Sequence, residues 1–330
     1  MRKKIVIWGV AVLILAVGTE FFYSWRPAEA EKIAWGAVFS QKQAEQMGLD
    51  GRRVYSALLD DLQVKKIKIA VHWDLLEQTP GGYDFSELDW QLARAGDSGA
   101  KVMLAIGMKT PRWPECHIPE WVEDMGKEKQ QAAILAMLEA IVLRYRENAV
   151  VESWQVENEP LFPFGECPWR DKEFLKKEVA LVKKLDTGKR PVVISDSGEG
   201  SWWFNAANVG DIAGITMYRR VYFSEMNVYV DYFLPPAFYS AKAGIVNKIF
   251  GKRVVCVELQ AEPWVAHQKY DGGEGDGKTM DIEQFKKNIA FARSTGLDEF
   301  YLWGGEWWYW MKENHHRPEF WEEAKTLFKI

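Results

Sequence analysis

Three cysteines in 330 residues exclude the dense disulfide framework that staples small secreted folds. Cys256 sits in an apolar strand pattern and reads as a small buried hydrophobe. Cys116 and Cys167 fall in two polar, Pro-rich loops that follow consecutive expected strands, so a bridge is expected between them if the loops lie side by side in an oxidising compartment. Histidine is also scarce, at five, and His315-His316 lacks the ligand spacing of zinc, so neither a metal nor an organic cofactor is expected. Positive charge has no excess: 42 Lys+Arg against 47 Asp+Glu leave a net charge of -5. That balance provides no basic field for a polyanion and argues against a nucleic-acid partner.

What the chain does have in quantity is aromatic rings, with 17 Trp, 12 Tyr and 17 Phe. Many of these pack cores, but flat apolar rings are also what sugar faces stack against. Hydrophobic residues at 48% and charged residues at 27% allow a sizeable core under a solvated surface.

The N-terminus is set apart from the rest. Arg2, Lys3 and Lys4 precede the apolar run Ile5 to Gly18, the pattern of an export signal. The run is shorter than the roughly 20 residues that span a bilayer, although Phe21, Phe22, Tyr23 and Trp25 extend it. Ala28-Glu29-Ala30 offers a cleavage site. Residues 1–30 are therefore expected to be a cleaved signal or an uncleaved membrane anchor with a short linker, leaving residues 31–330 as one domain, secreted or held on the outer face of the cytoplasmic membrane.

From Glu31 onward, short β-rich runs alternate with longer helical patterns, which predicts an α/β fold with a parallel sheet. Eight strands are expected: Ile33 to Phe39, Ile67 to Trp73, Val102 to Gly107, Val151 to Val156, Pro191 to Ser195, Ile212 to Met217, Val254 to Val257 and Glu299 to Trp303. Helices are expected over Lys127 to Glu147, Asp171 to Leu185, Pro236 to Phe250, Ile282 to Ser294 and Pro318 to Phe328. Between the fifth and sixth strands there is room only for a brief helix near Trp202 to Asn208. This is the count and spacing of a (β/α)8 TIM barrel in a single domain. The Gly-rich stretch Asp271 to Gly277 reads as a mobile loop, and its acidic residues lack the ligand order of an EF-hand.

In such a barrel the active site gathers where strands end and βα loops converge, so polar groups directly after apolar β runs are the informative ones. Glu159 follows the fourth strand in Trp154-Gln155-Val156-Glu157-Asn158-Glu159-Pro160, and Glu258 closes Val254-Val255-Cys256-Val257-Glu258 on the seventh. Glycoside hydrolysis uses one protonated carboxyl and one carboxylate flanking the scissile bond. Asn158 offers an amide to a sugar hydroxyl next to that bond. Glu157 reads as a wall residue, and Glu262 lies farther along the seventh loop.

These motifs resemble the clan A glycoside hydrolases, which include cellulases, mannanases, β-galactosidases and β-xylosidases. The resemblance runs from about Trp35 to the C-terminus. It implies Glu159 as acid/base and Glu258 as nucleophile. Trp73-Asp74-Leu75-Leu76-Glu77 with Pro80-Gly81-Gly82-Tyr83-Asp84-Phe85 is similar to the clan's loop after the second strand. Tyr218 resembles the tyrosine that hydrogen-bonds the nucleophile, and Trp303 resembles the sugar platform. Two departures stand out. Lys68 occupies the position where the clan usually carries Arg, and Gly107 to Trp113 lacks the histidine of many cellulases. Further sugar-binding candidates near strand ends are His72, Trp73, Arg112, Trp113, Trp202, Glu262, Glu306 and Trp307, while Trp308 and Trp310 read as packing or outer-subsite rings. The expected activity is retaining hydrolysis of β-linked oligosaccharides or polysaccharides. Transglycosylation by the same residues and sugar binding without turnover are the alternatives.

Overall fold

A computed structural model describes residues 27, 29–223, 226–264 and 278–329. The expected signal run Ile5 to Gly18 and the Gly-rich stretch Asp271 to Gly277 lie outside the described residues. Among the described residues no helix is long and apolar enough to cross a membrane.

Eight parallel strands close into a barrel: β1 (Ala34–Phe39), β2 (Lys66–Ala70), β3 (Lys101–Ile106), β4 (Val151–Val156), β5 (Val192–Asp196), β6 (Ile212–Met217), β7 (Arg253–Gln260) and β8 (Glu299–Trp303). Each pairs with its neighbours in chain order, and β8 returns to β1 with Gly36 opposite Tyr301. Strands covered on both faces need no polar side, which is why runs such as Val192-Val193-Ile194 are continuously apolar. The period of two survives where the interior is charged. Lys66 and Lys68 point into the barrel while Ile67 and Ile69 are buried in the layer beneath the helices.

The helices form the outer ring. Lys127–Tyr145, Lys172–Leu185, Pro236–Phe250, Ile282–Arg293 and Glu319–Phe328 match the expected five. Asp171 caps the second of these by accepting from Glu173 and Phe174 amides, both at 3.0 Å, and Asp281 caps the fourth from Gln284 at 2.7 Å; such caps satisfy otherwise orphaned donors. The brief helix between β5 and β6 is Phe204–Val209. Helices at Gly51–Asp60, Ser86–Asp97 and Gly305–Asn314 were not anticipated.

Two strand ends differ from expectation by three residues. β2 stops at Ala70, because His72 caps a one-turn helix, Trp73–Leu76. β7 runs on to Gln260, with a register shift against β6 between Cys256 and Glu258. Glu258 is thus held within the strand, opposite Thr216.

Most apolar burial lies between strands and helices. The barrel interior carries a smaller cluster of Val38, Met103, Val193, Val255, Val257, Tyr301 and Trp303. At the N-terminal ends of the strands Lys66 bridges Glu152 and Glu299, and Tyr301 donates to Glu299 at 3.0 Å. That ionic layer closes the bottom. The top is left for the site.

Candidate active site

The end of β4 makes two unusual backbone turns. Glu157 and Glu159 have positive φ, 61° and 44°, a region costing roughly 1–2 kcal/mol per non-glycine residue. Specific bonds hold them there. The Glu157 carboxylate accepts from the amides of Met108 at 2.8 Å and Lys109 at 2.6 Å. The amide of Asn158 donates to the Lys109 carbonyl, and that of Glu159 to Ser195 Oγ at 2.8 Å. Glu157 is therefore a clamp between the loops after β3 and β4. Glu159 itself is buried and accepts from Thr216 Oγ1 at 3.2 Å. Burial, then the negative charge of Glu258, push its carboxyl well above the ordinary range.

Glu258 has the opposite surroundings. Lys68 Nζ lies 3.0 Å from Oε1, and Tyr218 OH donates to Oε2 at 2.9 Å. Lys68 is fully buried, so the lysine that replaces the clan's arginine keeps a cation against this carboxylate, as a point charge and not a fork. Tyr218 is fixed in turn: its amide donates to Glu199 Oε1 at 2.9 Å, and that oxygen also receives Tyr239 OH at 2.6 Å. Thr216 ties the two halves together, bonded to Glu159 and opposite Glu258 in the β6–β7 register. One site holds both carboxyls.

Two further acids belong to it and were missed from the sequence. Glu115 Oε2 accepts from Asn158 Nδ2 at 3.1 Å, while Gln155 Nε2 donates to Asn158 Oδ1 at 2.9 Å. The Asn158 amide is thus locked at both ends. Burial pushes Glu115 up to about 7, against the pull of Lys109. Glu199 is also pushed up to about 7 by burial. Glu199 stands three residues past β5 and obeys the strand-end rule that found Glu159. Glu115, between Pro114 and Cys116 in a loop, carried no such signal. The loop is held by the Cys116–Cys167 disulfide, with Cys256 free and buried, and by a Lys109–Cys116 bridge.

Much of the remaining rim is a buried polar network. Arg112 pairs with both Glu262 and Glu306, the latter at 2.8 Å, and its guanidinium lies 3.9 Å from the centre of the Trp303 ring. Glu306 accepts the Ser40 amide. Ser40 Oγ is 2.9 Å from His72 Nε2, and His72 Nδ1 is 3.1 Å from Thr110 Oγ1. His117 packs against His72 at 4.0 Å. Burial holds both imidazoles below their ordinary value, His117 at about 4. Trp113 is 38% exposed, with its ring edge on Phe164.

Two expected sugar contacts are corrected. Trp73 is fully buried, with its indole donating to Glu77 at 2.7 Å. Trp307 is 1% exposed and packs on Phe320 at 4.5 Å. Trp73 is the first and Trp307 the third residue of a helix that follows a strand, each on the face turned to the core. Trp308 is likewise core, and Trp202 stands 68% exposed beside Phe204. Among the described residues no group of His, Cys, Asp or Glu is arranged to hold a metal.

The glycoside hydrolase 42 family, described as β-galactosidase, matches residues 52–176. Mannan endo-1,4-β-mannosidase A of Emericella nidulans is 32% identical over 112 residues, 34% of this chain and 28% of that protein. The chain resembles the clan A barrel glycoside hydrolases. A β-galactosidase from the psychrophilic Marinomonas ef1 superposes with TM-score 0.57 at 15% identity, covering 82% of this chain and 54% of that one. An endo-β-1,4-xylanase from Gloeophyllum trabeum superposes with TM-score 0.57 at 15% identity, over 93% and 99%. The chain thus spans about a quarter of the mannosidase and half of the β-galactosidase, and at these identities the solved structures speak to the fold. No single family is assigned.

Proposed function

We propose that this chain is a retaining hydrolase of β-linked glycosides, with Glu258 as nucleophile and Glu159 as acid/base. The observation that carries the reading is the contrast between two buried carboxyls meeting at Thr216. One has an ammonium and a phenol on its oxygens, and the other is shifted toward its protonated form by burial and by its neighbour's charge. Environments that drive two acids apart are what assign their roles.

In the first step a Glu258 oxygen bonds to the anomeric carbon as the bond to the leaving oxygen breaks, and the Glu159 proton passes to that oxygen. Glu159, now anionic, takes a proton from water. The water oxygen then bonds to the anomeric carbon and Glu258 departs with its electron pair. Asn158, locked by Glu115 and Gln155, presents an oriented amide beside the reacting carbon. The ammonium of Lys68 on Glu258 favours turnover over sugar binding alone. An oligosaccharide or polysaccharide substrate suits an exported protein, and the Cys116–Cys167 bridge supports the oxidising location expected from the N-terminal sequence.

The test is Glu258→Ala with activated aryl β-glycosides, together with labelling of the wild type by a 2-fluoro glycoside. Loss of hydrolysis and an adduct on Glu258 are expected, as is a product of retained configuration by NMR. Full activity in the variant would exclude the assignment.

A further inference from the structure

Around a ring of eight strands, the third and seventh stand opposite one another. Arg112 follows β3, and Glu262 follows β7. Their ion pair, with both side chains almost fully buried, is therefore a chord across the barrel mouth. On one side of the chord lie the ends of β8, β1 and β2. On the other lie β4, with Glu159, and β6, with Tyr218.

The two sides differ in kind. Toward β8, β1 and β2 the space is filled. Arg112 covers a face of Trp303 and also binds Glu306, Glu306 holds the Ser40 amide, and Ser40 holds His72. None of these five residues is more than 8% exposed. With its charge paired to Glu262 and Glu306 and its plane against Trp303, Arg112 would have to give up those partners for a second sugar to pass. Toward β4 and β6 the wall is made of half-open rings. Trp113 meets Phe164 at 6.0 Å, Phe164 meets Trp264 at 5.6 Å, and Trp264 meets Tyr218 at 5.2 Å. Stacking surface is available there, at its most exposed on Trp113.

The chemistry assigns a direction to this asymmetry. The leaving group is protonated by Glu159, so the aglycone lies on the β4 side. Sugars attached to the far end of the glycone would have to run the other way, across the chord. We infer that this protein works from the chain end: the Arg112 bridge closes the mouth beyond a single glycone, and the aromatic wall receives the aglycone. The substrate class is then β-linked chains with a free non-reducing terminus, from which one sugar is removed at a time. This rests on the glycosidase reading above and adds the mode of action to it.

The experiment uses the whole chain and a glycone found by screening aryl β-monoglycosides. An oligosaccharide of that sugar, labelled at its reducing end, is supplied with its non-reducing end free or blocked by a ketal cap. The wild type is expected to release monosaccharide stepwise from the free substrate and to cleave the capped one about 100-fold more slowly, the scale of a misfitted substrate. Arg112→Gly, which removes the bridge, is expected to narrow that ratio. Should that variant fail to fold, the wild-type ratio alone decides. Equal cleavage of capped and free substrates, or release of internal fragments at early times, would overturn the inference while leaving the glycosidase reading intact. Absence of both turnover and a fluoroglycoside adduct would overturn the two together.

Discussion

The Cys116–Cys167 bridge offers the sharpest quantitative test. It joins the loops after β3 and β4 across 51 positions of chain, and closing a loop of that length removes about 14 cal/mol/K of entropy from the unfolded state, or about 4 kcal/mol at 25 °C. For a barrel of roughly 300 residues, with an unfolding entropy of roughly 2.1 cal/mol/K per residue, that corresponds to a fall of about 6 °C in Tm. The perturbation is Cys116→Ala with Cys167→Ala, scanned beside the wild type with and without reductant at one heating rate. Activity should fall by less than about tenfold, equivalent to under roughly 1.4 kcal/mol in the transition state. The loop keeps other anchors, since Glu157 still holds the Met108 and Lys109 amides and Asn158 still holds Glu115. In the denatured, unreduced wild type one thiol should titrate, that of Cys256. Three titrating thiols, or a double variant that melts with the wild type, would refute the reasoning.

Tyr218→Phe removes a hydrogen bond to a charged oxygen, worth about 1.5–3 kcal/mol; kcat/KM should fall about 10- to 100-fold, and an unchanged value would show that the phenol does not serve Glu258. Because the Glu159 carboxyl is raised and the first step needs it protonated, kcat/KM should decline as pH rises through that raised value. Glu159→Gln should erase the alkaline limb and cost about 10²–10⁴-fold with poor leaving groups, and a limb that persists would assign it elsewhere. Glu115 and Glu199, both pushed to about 7, bind protons more tightly folded than unfolded. Stability should therefore drop as pH climbs from about 4.5 to about 7, on the order of 3 kcal/mol per group. Urea midpoints across that range should show a shallower slope in Glu115→Gln, and an identical slope would count against its buried titration.

The barrel was legible because its signals are local. Strand runs of Val and Ile, helical spacing over Lys127–Tyr145 and acid caps at Asp171 and Asp281 each lie within a few residues. Glu159 and Glu258 were found by the same means, as polar groups at the ends of apolar runs, and Glu199 was open to that rule. Trp73 and Trp307 misled because nearness to a strand end does not say which face of the next helix a ring takes. Lys68 was visible as a departure from arginine; that its ammonium still reaches Glu258 was not.

Alternating periods of two and 3.6 residues are written into the order of the side chains, so the chain alone determined a closed parallel barrel and the two acids at its mouth. Which groups meet over that mouth was settled only by folding. Lys68 with Glu258, Glu115 with Asn158 and Arg112 with Glu262 and Glu306 are contacts between distant segments. Ring closure and the stagger of the strands bring them together, and neither quantity has a local pattern from which it can be read.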